Sequence, residues 1–300
     1  MTNKRFFYPV LAILVAGVII GSFFDYQISN ALYLPGNFFG KMMASVGELP
    51  AYSLLGFGGG YLFYISWNNL RKSFNGWVVI LGSLFAFGCG IYFLGHAITN
   101  VNGFNIPDKK WIVGMPIAAV IITPLFILGL FTGKRVKDIN LWKLMFWILL
   151  MMGVTILIIT LVKLIPHRPR FRVVIDPSNP IEYCNWWNPC NNYKDFLSDT
   201  ITREEFKSFP SGHIGITSGF VYLMYMPALL EKPNTPKIRA IIFYSAFAYI
   251  LLLAYTRIMS GAHYLSDVCM GGLISLAFHF PISMLMDRIY NKDHEKKLEQ

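Results

Sequence analysis

Ser208-Phe209-Pro210-Ser211-Gly212-His213 stands where a polar stretch gives way to an apolar one, and its residue types suit anion chemistry. Proline presets φ for a first helical turn, and serine can cap the orphan N–H groups there. Gly212 has no side chain, so a ligand can approach the main chain closely. Free N–H groups at a helix N-terminus attract anions. His213 sets beside them an imidazole able to exchange a proton near neutral pH. The combination suits phosphate chemistry at a membrane surface; a loop-to-helix junction with an incidental histidine is the other reading.

Three further stretches carry polar groups of the same kind at the ends of apolar runs. Lys163 closes one run and is followed by Pro166-His167-Arg168-Pro169-Arg170; Arg257 closes another; His263 and Asp267 precede the last. A lysine or arginine at such an end often snorkels to the membrane interface, and a single histidine there is usually structural. Their joint occurrence is the informative fact, provided the elements bring them to one face.

Composition says what those elements are. Of the 300 residues 55% are hydrophobic and 14% charged, a profile for a chain whose apolar surface meets lipid. The net charge of +10 is spread over short segments between apolar runs. That placement matches the positive-inside rule rather than a basic nucleic-acid surface, so no nucleic-acid partner is expected. Apolar runs near 6–24, 51–67, 77–95, 111–131, 141–163, 212–230, 238–255 and 268–286 predict about eight transmembrane helices. The first, behind a short basic head, lacks a small-residue cleavage site and reads as an uncleaved span. The mixed stretch 26–48 allows an amphipathic interfacial piece. In the second run the Gly56–Gly60 cluster suits close helix packing, with a ligand role as the alternative.

Lysines and arginines alternate in density along the chain. Lys4, Arg5, Arg71, Lys72, Lys134, Arg135, Lys137, Lys232, Lys237 and Arg239, with the tail's Arg288, Lys292, Lys296 and Lys297, fall on one side. The connections opposite offer Lys41, Lys109 and Lys110. Both termini are therefore expected in the cytoplasm, with the 164–211 loop and the 257–267 turn facing out. Both are basic despite lying outside, which anion binding would explain. The long loop is rich in aromatics and is expected to be ordered in part. Cys184 and Cys190 lie in it and can close a small disulfide or remain free thiols.

These residues match, in order and spacing, the motifs of the type 2 phosphatidic acid phosphatase (PAP2) superfamily, which includes vanadium haloperoxidases and glucose-6-phosphatase. Lys163 and Arg170 resemble its Lys-x6-Arg-Pro motif, with Phe171 where proline is usual and Arg168-Pro169 as a competing pair out of register. Pro210–His213 is an intact Pro-Ser-Gly-His. Thr256-Arg257, His263 and Asp267 resemble Ser-Arg-x5-His-x3-Asp, with threonine for serine. The resemblance covers about 163–286 and leaves the first four spans outside it.

The resemblance implies an all-α polytopic membrane bundle with a six-helix-type phosphatase core. Residues 1–140 would form N-terminal helices partly outside that core, 141–287 the catalytic helices with their outer loop, and 288–300 a basic cytoplasmic tail. It implies His263 as nucleophile, Asp267 as its orienting carboxylate and His213 as acid and base. Lys163, Arg170, Ser211, Gly212 and Arg257 would bind the phosphate, without a metal or other cofactor. The expected activity is hydrolysis of lipid phosphates or diphosphates, of undecaprenyl diphosphate, phosphatidylglycerol phosphate or phosphatidate type. A bacterial plasma membrane with the site outward is the expected setting, and the expected partners are the lipid substrate and the bilayer. Transfer to another acceptor, a sugar-phosphate substrate, and a non-enzymatic anion transporter or scaffold are the competing readings.

Overall fold

The computed structural model describes residues 4–99, 110–136, 141–188, 190, 192–198 and 201–298, with side chains described except at 4, 110–112 and 288–298. Lys109 and Lys137, and the side chains of Lys4, Lys110, Arg288, Lys292, His294, Lys296 and Lys297, therefore lie outside the described residues.

The described chain is all helical. α1 (Lys4–Leu32) is followed by the short α2 (Phe38–Val46), α3 (Leu49–Ile65), α4 (Phe74–Thr99), α5 (Lys110–Arg135) and α6 (Leu141–Val162). The long loop holds α7 (Phe171–Val174) and two 3-10 turns; α8 (Gly212–Thr217), α9 (Met226–Leu229), α10 (Pro236–Met259) and α11 (Leu265–Leu298) complete the chain. Among the described residues, 6 helices are long and apolar enough to cross a membrane: α1, α4, α5, α6, α10 and the first part of α11. Two of the eight expected segments differ. α3 is helical but has only 17 residues, most of them buried. It is apolar all round because neighbours cover every face. The expected 212–230 helix is broken into α8, a 3-10 stretch (Ser218–Tyr225) and α9.

The break has local causes. The Ser218 hydroxyl donates back to the Ile214 carbonyl at 2.7 Å, in competition with the regular ladder. Pro227 lacks an N–H and suits a new first turn. Here α6 presses in closely: a Cβ built at Gly215 would lie 1.8 Å from Ile159 Cδ1.

Two packed groups share one hydrophobic core. α3, α4 and α5 pack on one another, while α1 runs along α11, which also contacts α6 and α8; α3 touches α6 and joins the groups. The glycine cluster of α3 serves packing. A Cβ at Gly60 would lie 1.9 Å from the Phe126 carbonyl oxygen, and one at Gly129 of α5 would lie 2.1 Å from that of Phe57. Over the other group, the long loop carries a small apolar cluster of Ile181, Tyr193 and Phe206. A disulfide between Cys184 and Cys190 ties it further.

The α3–α5 contact yields a stability test. Gly129→Ala forces backbone apart and should cost about 1–3 kcal/mol, as overpacked interiors do. Gly82→Ala and Gly88→Ala, where an added methyl meets nothing within 4 Å, should leave thermal unfolding in detergent unchanged or raised. Equal midpoints for all three variants would contradict this packing.

Candidate active site

The structure brings the motif residues together where α6, α8, α10 and α11 end or begin, beneath the long loop. The organising side chain is Arg168, which is 1% exposed. Its guanidinium donates to Asp25 Oδ2 at 2.9 Å, to Ser266 Oγ at 2.9 Å, to Asp267 Oδ1, to the Tyr183 hydroxyl at 3.0 Å and to the Cys184 carbonyl at 2.9 Å. It also lies 4.0 Å over the Tyr264 ring. Two carboxylates and three other oxygens take its five N–H donors and leave it no capacity for a ligand. Arg168, the competing cation for phosphate, is thereby excluded on geometric grounds. Asp25 comes from α1 and also accepts the Ser266 N–H at 2.9 Å, at the start of α11.

Asp267 lies in the first turn of α11, three residues after His263's neighbour Tyr264, rather than ahead of the helix. Its Oδ2 accepts the Tyr264 N–H at 2.9 Å and the Ser208 hydroxyl. Its main-chain carbonyl accepts the Ser211 N–H at 2.9 Å, which couples the two histidine motifs.

His263 is 1% exposed. Its Nδ1 lies 2.6 Å from the Ser208 carbonyl and 3.8 Å from Asp267 Oδ2. A carbonyl can only accept, so Nδ1 carries the hydrogen and Nε2 keeps its lone pair. The tautomer expected of Asp267's influence is held by Ser208, with Asp267 as the nearby counter-charge. Burial, together with the positive charges of Lys163 and Arg257, pushes the His263 pKa down to about 3, against the pull of Asp267. The ring is neutral through the physiological range.

Three cations gather near this histidine. The Arg257 Nε and Nη1, the Arg170 Nε and the Ser211 hydroxyl are buried atoms with no hydrogen-bond partner among the described residues. Lys163 Nζ donates to the Lys207 carbonyl at 3.3 Å and lies 3.5 Å from where a Gly212 Cβ would stand. A methyl at position 212 would meet the lysine only at ordinary van der Waals distance. Burial, with Arg170 adding repulsion, lowers the Lys163 pKa to about 8; burial and Arg172 lower that of Arg170 to about 10. Phe171, standing where proline is usual, is buried against the rings of Tyr26, Tyr33 and Tyr264 and anchors the start of α7. The Arg170 N–H bonds to the Glu205 carbonyl at 2.8 Å, and Glu205 in turn clamps Arg172.

His213, in the first turn of α8, stands across the site with its ring centre 6.2 Å from that of His263. Ser211 is the residue before α8, yet its hydroxyl makes no capping bond. The hydroxyl is thus left for a ligand.

All eight motif residues expected at the site are brought together. Asp25, Ser208 and Glu48 belong with them and escaped the motif reading. Asp25 lay just past the apolar run expected at 6–24; the structure extends α1 to Leu32 and so places this carboxylate within the helix, where it needs a partner.

Helix ends with unpartnered cation donors, gathered around a histidine whose Nε2 is free, have the charge and donors that suit a phosphate ester. Residues 144–291 match the family model of the PAP2 superfamily, and this part of the chain belongs to that superfamily, whose members are generally phosphatases acting on phosphate esters. No curated protein and no solved structure is a significant match to the chain.

Two outcomes test this geometry. Arg168→Ala strands two buried carboxylates and should cost about 3–5 kcal/mol, the range for one-sided loss of a buried pair; a thermal midpoint within error of wild type would overturn its keystone role. Lys163 is cationic below its pKa of about 8 and loses that charge as the pH rises. kcat/KM should accordingly fall above about pH 8, and the fall should move to higher pH in Lys163→Arg.

Proposed function

We propose that the protein is a membrane phosphatase that hydrolyses lipid phosphates or diphosphates through a phosphohistidine at His263. The observation that carries this reading is the set of buried, unpartnered donors on Arg170, Arg257 and Ser211 around the free Nε2 of His263. Phosphoryl transfer spreads charge over equatorial oxygens, so fixed cations and dipoles there supply most of the catalysis. Arginine's planar fork suits those oxygens, and Lys163 adds a point charge.

The lone pair of His263 Nε2 attacks phosphorus while the bond to the leaving oxygen breaks, and His213 gives that oxygen a proton. The phosphorylated imidazole is cationic, with Asp267 at 3.8 Å to balance it. Water then attacks phosphorus as the P–N bond breaks, and His213 takes a proton from the water. Acid–base help of this kind contributes roughly 10²–10⁴-fold.

A lipid substrate is supported by an apolar cavity of about 280 Å³ among α1, α8, α10 and α11. Ile214 and Ile258, which directly follow His213 and Arg257 in the chain, line it with Leu14, Phe247, Leu265 and Val268. A hydrocarbon chain there would leave its head group at the histidines. In this reading the site faces outward from a bacterial plasma membrane, with both termini in the cytoplasm.

The test is a panel of lipid phosphates assayed in detergent with chelator present. His263→Ala should lose at least about 10³-fold in kcat, as when a nucleophile is removed. Wild type quenched in alkali should carry acid-labile phosphate that the variant lacks. Turnover unchanged by the substitution would sink the nucleophile, and turnover abolished by chelator would sink the metal-free mechanism. Hydrolysis of lipid phosphate confined to the outer leaflet of sealed right-side-out vesicles is expected of an outward site.

A further inference from the structure

His213 is held by residues outside the matched segment. Its Nε2 lies 3.2 Å from the Ala44 carbonyl at the end of α2, and its Nδ1 lies 3.6 Å from Glu48 Oε1 just before α3. Glu48 is 7% exposed. Its other oxygen accepts the Tyr52 hydroxyl one turn along α3. The segment is seated from below as well: the Tyr249 hydroxyl of α10 donates to the Gly47 carbonyl at 2.9 Å.

The hydrogen positions follow from the partners. The Ala44 carbonyl accepts only, so Nε2 carries a hydrogen and is used up in anchoring the ring. Nδ1 is then the nitrogen left for proton transfer. At 3.6 Å the Glu48 oxygen is too far for a hydrogen bond yet close enough for strong charge interaction. With no hydrogen bond to Glu48, the Nδ1 hydrogen stays available to an oxygen of a ligand that approaches the ring from the His263 side. Burial, and then the groups facing the ring, Arg257 of α10, His263 and Lys163 at the end of α6, oppose protonation of His213 and push its pKa well below the ordinary imidazole value. The ring therefore needs a counter-charge to carry a second proton. Glu48 places a carboxyl group 3.6 Å from the ring; burial raises its pKa, while the Tyr52 hydroxyl, Arg257 and Lys163 favour its charged form.

We propose that Glu48 is the positioning residue of the acid–base histidine: its carboxylate holds the proton on His213 Nδ1 that passes to the leaving oxygen. The site would then contain two histidine–carboxylate pairs, His263 with Asp267 and His213 with Glu48. The second is completed by the N-terminal half of the chain. This rests on the acid–base role of His213 proposed above.

Leaving-group dependence tests it. p-Nitrophenyl phosphate releases a stable anion and needs little protonation, whereas phenyl phosphate releases a more basic oxygen and needs more. With purified full-length protein, Glu48→Gln should lower kcat/KM for phenyl phosphate about 10–100-fold, part of the usual acid–base contribution, and that for p-nitrophenyl phosphate by less than about threefold. Glu48→Asp should recover most of the loss. The double variant Glu48→Gln/His213→Ala should be no slower than His213→Ala. Equal losses on both substrates, or losses that add in the double variant, would overturn the role of Glu48. Unaltered turnover of both substrates by His213→Ala would instead remove the acid–base reading beneath it. Should Glu48→Gln not fold, Tyr52→Phe reads the same ratio by releasing Oε2: a loss specific to phenyl phosphate supports the pair, and an even loss refutes it.

Discussion

The chain of charges Asp25–Arg168–Asp267 is the interaction on which the site depends. All three side chains are fully buried, and each charge would be costly there without the others. Arg168 belongs to the loop after α6, Asp25 to α1 and Asp267 to the first turn of α11, so the network joins elements remote in sequence. Its consequences reach both histidines. Asp267 takes the Ser208 hydroxyl, and the Ser208 carbonyl takes the hydrogen of His263 Nδ1. The Asp267 main chain receives the Ser211 N–H at the mouth of α8. The orientation of His263 and the start of α8 are therefore set by one buried network.

Against this saturated cation stand Arg170, Arg257 and Lys163, whose donors are not fully satisfied by the protein. They repel one another, and burial lowers the Lys163 and Arg170 pKa values. Under the proposed function an anion would relieve that repulsion, which is how preorganised electrostatic sites differ from structural ion pairs. The contrast between Arg168 and Arg170, two residues apart, is one of partners rather than of residue type. The former faces carboxylates and carbonyls; the latter has a buried donor without one.

The N-terminal half is more than a membrane anchor. α1 contributes Asp25, and the α2–α3 junction carries Ala44 and Glu48 against His213. α3 is held among α4 and α5 by glycine contacts that admit no side chain, so the position of Glu48 is fixed by packing some distance away. The long loop between α6 and α8 closes the other side. Trp186 stacks on Phe209, with ring centres 5.4 Å apart, and donates to the Ser22 hydroxyl of α1.

The sequence by itself determined the helical membrane class, most of the spans and the eight motif residues. Long apolar runs have few structural alternatives in lipid, and phosphate chemistry needs cations and histidines at helix ends. It did not determine that 212–230 would break into short pieces, because a serine and a proline such as Ser218 and Pro227 are also tolerated inside helices, and prolines lie inside α1, α5 and α11. The spacing from Lys163 favoured Arg170 over Arg168, but the physical difference between them lies in the tertiary structure. Carboxylates, hydroxyls and a carbonyl saturate Arg168, whereas Arg170 has a buried donor without a partner among the described residues. Asp267 at i+4 from His263 suggested a direct hydrogen bond; the structure interposes Ser208, a residue fifty-five positions away. Glu48 and Asp25 carry no motif, and their pairing with His213 and Arg168 is a matter of which helices meet. Residue types and local spacing were legible in the chain, but hydrogen-bond partners across helices depend on tertiary packing, which alone decided them.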